Sequence, residues 1–216
     1  YKTQNVISII GLAVGLLCFC VCIYCSRFVE NTDHCFANHD RIAELNLYDG
    51  KADRYFSGSP IPLAEELRTW ALGETEAISS VTYPRERPYY VELSPEKTLP
   101  YELETIEIDT CYNKIFTPEM VAGHWKMASQ SLNSVILSQS MAIKIFGNAE
   151  SAIGKHMTLM RRLNTSPEST PKTGGIVYTI QAVMKDISLN NSLDFMQNID
   201  MLTVNDSEGL LQSPKR

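Results

Sequence analysis

The sequence predicts a single membrane-spanning helix followed by an α+β domain. Three observations lead to this fold class: an uncharged N-terminal stretch, strand-like apolar runs along the rest of the chain, and short capped helices between those runs. Strands that alternate with a few short helices favour an α+β architecture. The predicted organisation is a transmembrane helix over residues 1–27, a helical stalk over 28–40 and a folded domain over 41–216.

The membrane prediction rests on the N-terminal stretch. Every residue between Lys2 and Arg27 is uncharged, and the apolar centre over residues 6–25 has only Ser8 and Tyr24 as polar interruptions. About 20 residues at about 1.5 Å each span about 30 Å, the thickness of the hydrocarbon layer. Such a segment must be helical in lipid, because its backbone groups find no water there. No later run is long enough to span, so the rest of the chain is expected on one side of the membrane.

Two alternatives to a retained helix fit the sequence less well. A cleaved signal peptide has a shorter apolar region and a small-x-small cleavage site, which residues 21–27 lack. A lipoprotein cysteine follows a small residue. The cysteines of this stretch follow Leu, Phe, Val and Tyr instead; they are Cys18, Cys20, Cys22 and Cys25.

One side of the predicted helix carries small residues. At 100° per residue they fall within a stripe of about 100°; they are Ser8, Gly11, Gly15, Cys18, Cys22 and Cys25. Small side chains let a second helix approach closely, and Gly11 and Gly15 form a G-x-x-x-G pair. The stripe is therefore predicted to be a packing seam, although this pair also occurs by chance in membrane helices.

The charge of the domain excludes one class of partner. The 216 residues include 25 acidic and 19 basic side chains, a formal net charge of −6, and all the acids follow residue 27. This acidic balance argues against nucleic acid, because phosphate binding requires clustered Lys and Arg. The 44% hydrophobic content argues against disordered, collagen-like and disulfide-scaffold proteins.

Helices of the domain are predicted from their caps. Ser59 and Pro60 open one helix, with an apolar face formed by Leu63, Leu67, Trp70 and Ala71. Thr117, Pro118 and Glu119 repeat this signal for a short helix that ends near Gly123. A third helix is capped by Ser138 and stopped by Gly147.

Strands are predicted from apolar alternation and bounding turns. The predicted strands cover residues 41–48 before a turn at Asp49 and Gly50, 78–83 and 89–93 around a turn at 84–88, 103–110, 134–137, 157–161 and 176–183. Residues 164–175 are rich in Thr, Ser, Pro and Gly and are predicted to form a mobile loop or hairpin tip.

Several patterns resemble chemical sites and are better explained structurally. Residues 147–155 differ from a phosphate loop in spacing, and His156 stands where Ser or Thr would bind magnesium. His34, Cys35 and His39, beside Asp33 and Asp40, lack the converging second pair of a metal site, so a solvated junction is predicted. No metal and no cofactor is expected.

Two further groups could suggest catalysis. Near-alternate carboxylates, Glu102, Glu104, Glu107 and Asp109, are predicted to be a solvated sheet face rather than an acid–base pair. Ser138 and Ser140 lack the G-x-S-x-G motif of a nucleophile.

Cys35 and Cys111 are the only cysteines after the membrane stretch. An oxidising compartment would permit a disulfide between them. Spacing alone does not bring their Cα atoms within about 7 Å, so two separate thiols remain the alternative.

Motifs spread along the chain resemble the FtsX/MacB-type permease family, the membrane subunits of mechanotransmitting ABC transporters. Residues 5–15 are similar to the start of the first transmembrane helix of that family. Phe36, followed by residues 40–42, resembles its stalk-to-strand junction. Residues 135–155 are similar to the most recognisable motif of the family. Residues 178–186, with Asn190, Ser192 and Phe195, resemble the strand and loop that follow this motif.

This resemblance implies a MacB-like extracytoplasmic core, a porter-like α+β lobe plus a smaller β-rich lobe. It also implies a bacterial inner-membrane permease that forms a homodimer or pairs with a second permease. A separate ATPase subunit or domain would hydrolyse ATP, and the first helix and stalk would carry the resulting change outward for export or extraction of substrates. A periplasmic or outer-membrane partner is a further expectation. Because the family has later transmembrane helices, the chain is expected to be an N-terminal fragment whose ectodomain is incomplete.

Two other functional classes remain open. One is a sensor, in which a single span carries a ligand-binding domain for a signalling receptor. The other is a membrane-anchored enzyme that uses Glu107 or Asp109. Further hydrophobic spans later in the gene would favour the permease, and a kinase or coiled-coil output would favour the sensor.

Overall fold

The N-terminal helix, α1, covers Lys2–Glu30. The computed structural model describes residues 2–56, 58–60, 62–70, 73, 75–94, 97–131, 133–159 and 176–204. The segment Thr3–Glu30 has a mean hydropathy of 2.9 in its most apolar window and is not buried against the rest of the chain. By length and composition α1 can cross a membrane, as predicted.

The predicted helical stalk over 28–40 is wrong beyond Glu30. Residues 31–38 form turns, and a short 3₁₀ turn follows at His39–Arg41. The Asn31 side chain donates to the Arg27 carbonyl at 2.7 Å, and Asp33 has a φ of +66°. Short polar side chains that bond nearby backbone compete with helical bonds, which explains why α1 ends there.

A small hairpin and a helix follow. Strand β1, Leu47–Asp49, pairs with β2, Arg54–Phe56, so the predicted strand over 41–48 is regular only at its end. The predicted turn is present, and Asp49 accepts hydrogen bonds from the backbone N–H groups that follow it. Helix α2, Pro62–Thr69, begins slightly later than predicted. Ala71 lies outside the described residues.

The remaining strands form one curled sheet. They are β3 Arg85–Ser94, β4 Lys97–Ile108, β5 Met120–Gly123, β6 Ser134–Ser138, β7 His156–Leu159, β8 Ile176–Met184 and β9 Met201–Val204. Their order is β5-β8-β6-β9-β4-β3-β7, and β7 also pairs with β8. The sheet therefore closes on itself, with β5 attached to β8.

The β3–β4 hairpin corrects two predictions. Residues 84–88 do not form a turn, because Arg85 to Pro88 pair with β4. Proline is tolerated there since β7 pairs with β3 only over residues 89–91. Residues 78–83 are not a strand but contact β4 through a single bridge between Val81 and Ile108.

The helix predicted from Thr117 is also wrong. Helix α3, Tyr112–Phe116, precedes it and ends at Thr117, whose φ is +41°. The chain then enters β5, which ends at Gly123 with a φ of +72°. A Cβ at Gly123 would overlap the backbone of β8, at 2.8 Å from Ala182 Cα, so this close approach requires glycine.

The region after residue 133 matches the sequence prediction best. Strand β6 is buried throughout. Helix α5, Gln139–Phe146, has Ser138 as its N-cap and ends at Gly147 in the left-handed region. Strands β7 and β8 lie where expected, whereas β9 was not predicted. The loop predicted over residues 164–175 lies outside the described residues.

Two hydrophobic clusters cover opposite faces of the sheet. Alternation along β6 sends Val135 and Leu137 to one cluster and Ile136 to the other. The first cluster packs against α5. The second packs against α3, Phe36 and a short helix, α4, at Trp125–Gln130. The observed architecture is thus α+β with an N-terminal apolar helix, which confirms the predicted fold class.

Candidate functional site

The end of α1 is held by the loop that follows β8. Asn190 makes three contacts there. Its side-chain amide donates to the Phe28 carbonyl at 2.9 Å, its side-chain oxygen accepts from the Thr32 hydroxyl at 3.1 Å, and its backbone carbonyl accepts from Asp33 N–H at 3.1 Å. One loop residue thus binds the last turn of the helix and both Thr32 and Asp33, shortly after its end.

Asp33 completes this attachment. Its two carboxylate oxygens accept hydrogen bonds from the backbone N–H and the hydroxyl of Ser192, both at 2.7 Å. Hydrogen bonds to an ionised acceptor are shorter and stronger than neutral ones. The positive φ of Asp33 turns the chain so that its carboxylate faces the loop. We call Phe28, Thr32, Asp33, Asn190 and Ser192 the helix clasp.

A second attachment lies a few residues further on. Phe36 is 4% exposed, and its ring meets the Phe116 ring edge-on with centroids 5.3 Å apart. The Asn38 amide donates to the carbonyls of Lys114 and Ile115 at the end of α3. The chain that leaves α1 is therefore joined to the loop after β8 and to the helix after β4.

The helix clasp is polar and largely exposed to solvent, whereas the Phe36 contact is apolar and buried. Exposed hydrogen bonds exchange readily with water, and solvent screening offsets the added strength of those to the Asp33 carboxylate, so each contributes about 1 kcal/mol. The junction between α1 and the domain, residues 28–38, therefore has two kinds of contact. The helix clasp can open at low cost, and the Phe36 contact fixes the position of the chain.

Two buried ion pairs fix the interior near this junction. Asp109 is 2% exposed and binds the Arg68 guanidinium of α2. It also accepts the Ser79 hydroxyl at 2.8 Å, Ser80 N–H at 2.8 Å and Cys111 N–H at 3.0 Å. This carboxylate joins α2, the segment before β3 and the start of α3.

The second pair is Arg87 and Glu107, whose Nη2 and Oε1 atoms are 2.5 Å apart. Tyr89 and Tyr178 lie close by, with ring centroids 6.2 Å apart. Burial, with a smaller contribution from Tyr178, raises the pKa of Tyr89 to about 12. Burial likewise raises the pKa of Tyr178, with the Glu107 charge adding to it.

These pairs correct the prediction of a solvated carboxylate face. Glu102 is exposed and Glu104 is partly exposed, but Glu107 and Asp109 are buried. The strand alternation indicated an acidic face, whereas the arginines that neutralise it come from other elements. Because each buried carboxylate is engaged by an arginine, the four carboxylates do not form the paired acid–base arrangement considered from sequence.

The predicted seam lies on an unpartnered helix. Its six residues are exposed, and a Cβ added to Gly11 or Gly15 would meet nothing within 4 Å. A single chain offers no second helix to pack on this face. The seam of Ser8, Gly11, Gly15, Cys18, Cys22 and Cys25 therefore stays a prediction.

His34, Cys35 and His39 lie in the turns that also contain Asp33 and Phe36. The His34 and His39 rings are 4.3 Å apart, and the described residues hold no group of His, Cys, Asp and Glu suited to a metal ion. Cys35 and Cys111 are free thiols, and the disulfide between them stays a prediction. Partial burial raises the pKa of Cys35.

The loop from Gly147 to Lys155 follows α5 and contains the 3₁₀ turn Glu150–Ala152. Near it, Ser138 caps α5, and Ser140 N–H donates to Asp186. These serines thus have local structural partners. Half-burial raises the pKa of Asp200, which accepts Glu104 N–H at 2.9 Å in the same region.

Sequence reasoning missed several residues of the junction. Arg68, Arg87 and Asn38 carry no local signal, because their partners are distant along the chain. Asn190 and Ser192 belonged to the family-like motif without a stated role. The positive φ of Asp33 is typical of Asp and Asn in tight turns and is the one local signal available.

Comparison with known proteins finds similarity at the level of structure. No protein-family model matches the sequence, and no curated protein matches it significantly. A solved domain of a proposed permease protein from Porphyromonas gingivalis is similar, with a TM-score of 0.53 and 20% identity over 73% of this chain. This chain has the fold of that permease domain. The resemblance predicted from the motifs is thereby confirmed at the level of the fold.

Two other solved structures are similar with lower TM-scores. The periplasmic region of MacB from Actinobacillus actinomycetemcomitans has a TM-score of 0.43 and 16% identity, covering 77% of this chain and 64% of its own. The extracellular domain of the noncanonic ABC-type transporter YknZ from Gram-positive bacteria has a TM-score of 0.42 and 14% identity, covering 72% and 68%. This chain spans 59% of the length of the Porphyromonas domain.

Proposed function

We propose that this chain is the first transmembrane helix and the extracytoplasmic domain of an ABC-type transporter permease in the FtsX/MacB-type family, located in a bacterial inner membrane. The proposal is supported by the permease-like fold behind an apolar helix that can cross a membrane. Transport would be driven by ATP hydrolysis in an ATPase subunit or domain on the other side of the membrane.

The single observation that carries the mechanism is the helix clasp. Asn190 and Ser192 bind the last turn of α1 and Asp33 through hydrogen bonds of 2.7–3.1 Å. A movement of α1 along or about its axis would act directly on the loop after β8. Because β8 pairs with β5, β6 and β7, that loop is the end of a strand on which much of the sheet depends.

The expected sequence of events starts with ATP binding by the partner. ATP binding moves α1, and the helix clasp transmits the movement to β8. The buried Phe36 contact keeps the segment after α1 aligned on α3. The ectodomain then changes its position relative to a second permease and handles a substrate outside the membrane. The polar clasp suits this role, because its exposed bonds can open and re-form at low cost.

The clasp predicts a specific uncoupled phenotype. The whole permease is purified with its ATPase and reconstituted in nanodiscs, with spin labels on the ectodomain. Asp33→Ala combined with Ser192→Ala should reduce the ATP-dependent change in label distance at least about twofold, because helix and loop then share only the Asn190 bonds. ATP hydrolysis itself should continue.

The matched control is Asp49→Ala in the β1–β2 turn. Asp49 accepts two exposed backbone N–H groups but lies away from the junction, so this variant should keep the full distance change. An unchanged distance change in the clasp variant would contradict the proposed coupling route. Failure of a tagged full-length protein to copurify any ABC ATPase would contradict the permease proposal itself.

We further propose that the small-residue seam packs α1 against another membrane helix, in a homodimer or a paired permease. Gly11 and Gly15 would permit close backbone approach there. Replacing both glycines with Leu should weaken helix association in a membrane dimerisation assay. The control variant replaces Leu12 and Leu16, on the other side of the helix, with Ile and should associate as the unmodified helix does. Equal association of all three helices would remove the seam as a self-contact.

A further inference from the structure

A cleft of about 650 Å³ lies beside α2, between residues 41–45, residues 75–83 and the end of α3, and has no role in the proposed coupling. Its walls are mainly apolar, and its central lining residues are Ile42, Leu45, Leu63, Leu67, Val81 and Phe116. A largely apolar concavity of this volume is in the usual range for ligand sites. The polar groups of its lining determine which ligand chemistry it favours.

Two segments that line the cleft contribute backbone N–H and C=O groups. Residues 42–46 follow the 3₁₀ turn, and Ile42 is extended with φ −86° and ψ 129°. Within the described part of the chain, no backbone hydrogen bond engages the N–H or C=O groups of residues 42–46. Ile42 thus borders the cleft in an extended conformation, and among the described residues no backbone group of 42–46 has a ladder partner.

The opposite segment is paired on one side only. Ser80 C=O accepts from Asp109 N–H and Thr82 N–H donates to Glu107 C=O, so both groups face β4. In an antiparallel ladder the intervening residue directs its N–H and C=O the other way. The backbone groups of Val81, which lines the cleft, therefore point away from β4.

The charges around the cleft do not select an ion. Arg41 and Glu76 are paired at 2.7 Å on its lining, which also includes Glu44, Arg85 and Lys114. Because both signs are present, a strongly anionic or cationic ligand gains little. An acyl chain or other pure hydrophobe would fill the apolar centre but would shield the partly buried backbone groups of Val81 from water without bonding them, which costs free energy.

We propose that this cleft binds an extended segment of polypeptide by strand addition. The ligand backbone would pair with residues 42–46 or with the outer edge at Val81, and alternate apolar side chains would enter the cleft between α2 and Phe116. Main-chain bonds would supply affinity and the apolar positions would supply selectivity, as in other strand-addition sites. This site is separate from the helix clasp and needs neither ATP nor a partner ATPase.

The test uses the full chain in nanodiscs and fluorescein-labelled, end-blocked heptapeptides in which Val, Leu or Phe alternates with Thr. At least one of them should bind with a Kd below about 1 mM by fluorescence anisotropy. The same peptide, N-methylated at alternate amides on its bonding edge, should bind at least about tenfold more weakly. Equal binding of the N-methylated peptide would overturn strand addition, and so would absence of binding by the whole panel.

Cleft-filling variants locate the site. Ala64→Trp on α2 and Ala43→Trp in the segment over residues 42–46 should each weaken binding by about tenfold or more. The matched control Glu66→Trp changes the exposed side of α2 and should bind the peptide as the unmodified chain does. Because Ala43 is exposed, its variant keeps the test decisive if Ala64→Trp does not fold. Unweakened binding by folded Ala43→Trp would place the peptide elsewhere and overturn the proposal.

Discussion

The helix clasp and the Asp109 centre are both built on an aspartate that accepts several hydrogen bonds, yet their surroundings differ. Asp33 is partly exposed and binds Ser192, whereas Asp109 is buried and binds Arg68 with four further donors. Water can replace the partners of Asp33 but not those of Asp109. The domain interior is therefore fixed by bonds that are costly to break, while its link to the helix is made of bonds that are cheap to exchange.

The largest effect is expected from Asp109→Ala. This change removes the buried partner of Arg68, which then keeps only Glu65 and the Ile78 carbonyl. It also removes the acceptor of three backbone N–H groups, so it should lower the free energy of unfolding by about 3–5 kcal/mol. The measurement is denaturant unfolding of the chain in detergent, with Asp49→Ala as control. A loss below about 1 kcal/mol would mean that burial does not distinguish the two aspartates.

A smaller global effect is expected from Asp33→Ala. Its carboxylate bonds are exposed, so the free energy of unfolding should fall by only about 1 kcal/mol. Locally the change should be clear: hydrogen exchange at the Ser192 amide should accelerate, while the amides of β6 should keep their protection. Accelerated exchange throughout β6 would show that the clasp supports the whole domain rather than the junction alone.

The smallest effect at neutral pH is expected from Tyr89→Phe. The Tyr89 hydroxyl is buried and has no hydrogen-bond partner among the described residues, so the change keeps the ring packing and should alter stability by no more than about 1 kcal/mol. This variant removes one buried hydroxyl near the Arg87–Glu107 ion pair and leaves both charges in place.

Alkaline pH should separate Tyr89→Phe from the unmodified chain. The pKa of Tyr89 rises on folding from 10.0 to about 12, so its neutral form is favoured in the folded state. Its contribution to stability is complete below pH 10 and is lost as the pH rises towards 12. The variant should therefore lose less stability over this range. Parallel curves would indicate that Tyr89 is not buried as described.

Local signals explain which elements could be predicted from sequence. α1 is continuous and apolar, and α5 has Ser138 and Gly147 at its ends, so chemistry within a few residues determines both. β9 was missed because a strand of four residues, three of them apolar, gives no periodic signal without bounding turns. The helix predicted after Thr117 failed because pairing with β8 outweighs a weak local preference.

The candidate sites depended even more on tertiary structure. The sequence drew attention to Glu107 and Asp109 but gave their environment wrongly, since Arg87 and Arg68 lie 20 and 41 positions away. Asn190 and Phe28 are 162 positions apart, so no spacing rule could join them. The cleft beside α2 is formed by segments that are individually irregular and meet only in the folded chain.

The sequence by itself determined that an apolar helix precedes an acidic α+β domain, because length, hydropathy and alternation are properties of neighbouring residues. Only the tertiary structure decided which carboxylates are buried, how the helix is joined to the sheet and where backbone edges remain open. Those features depend on side chains and backbone groups brought together from distant positions, and their free energy comes from solvent exclusion that a linear pattern does not contain.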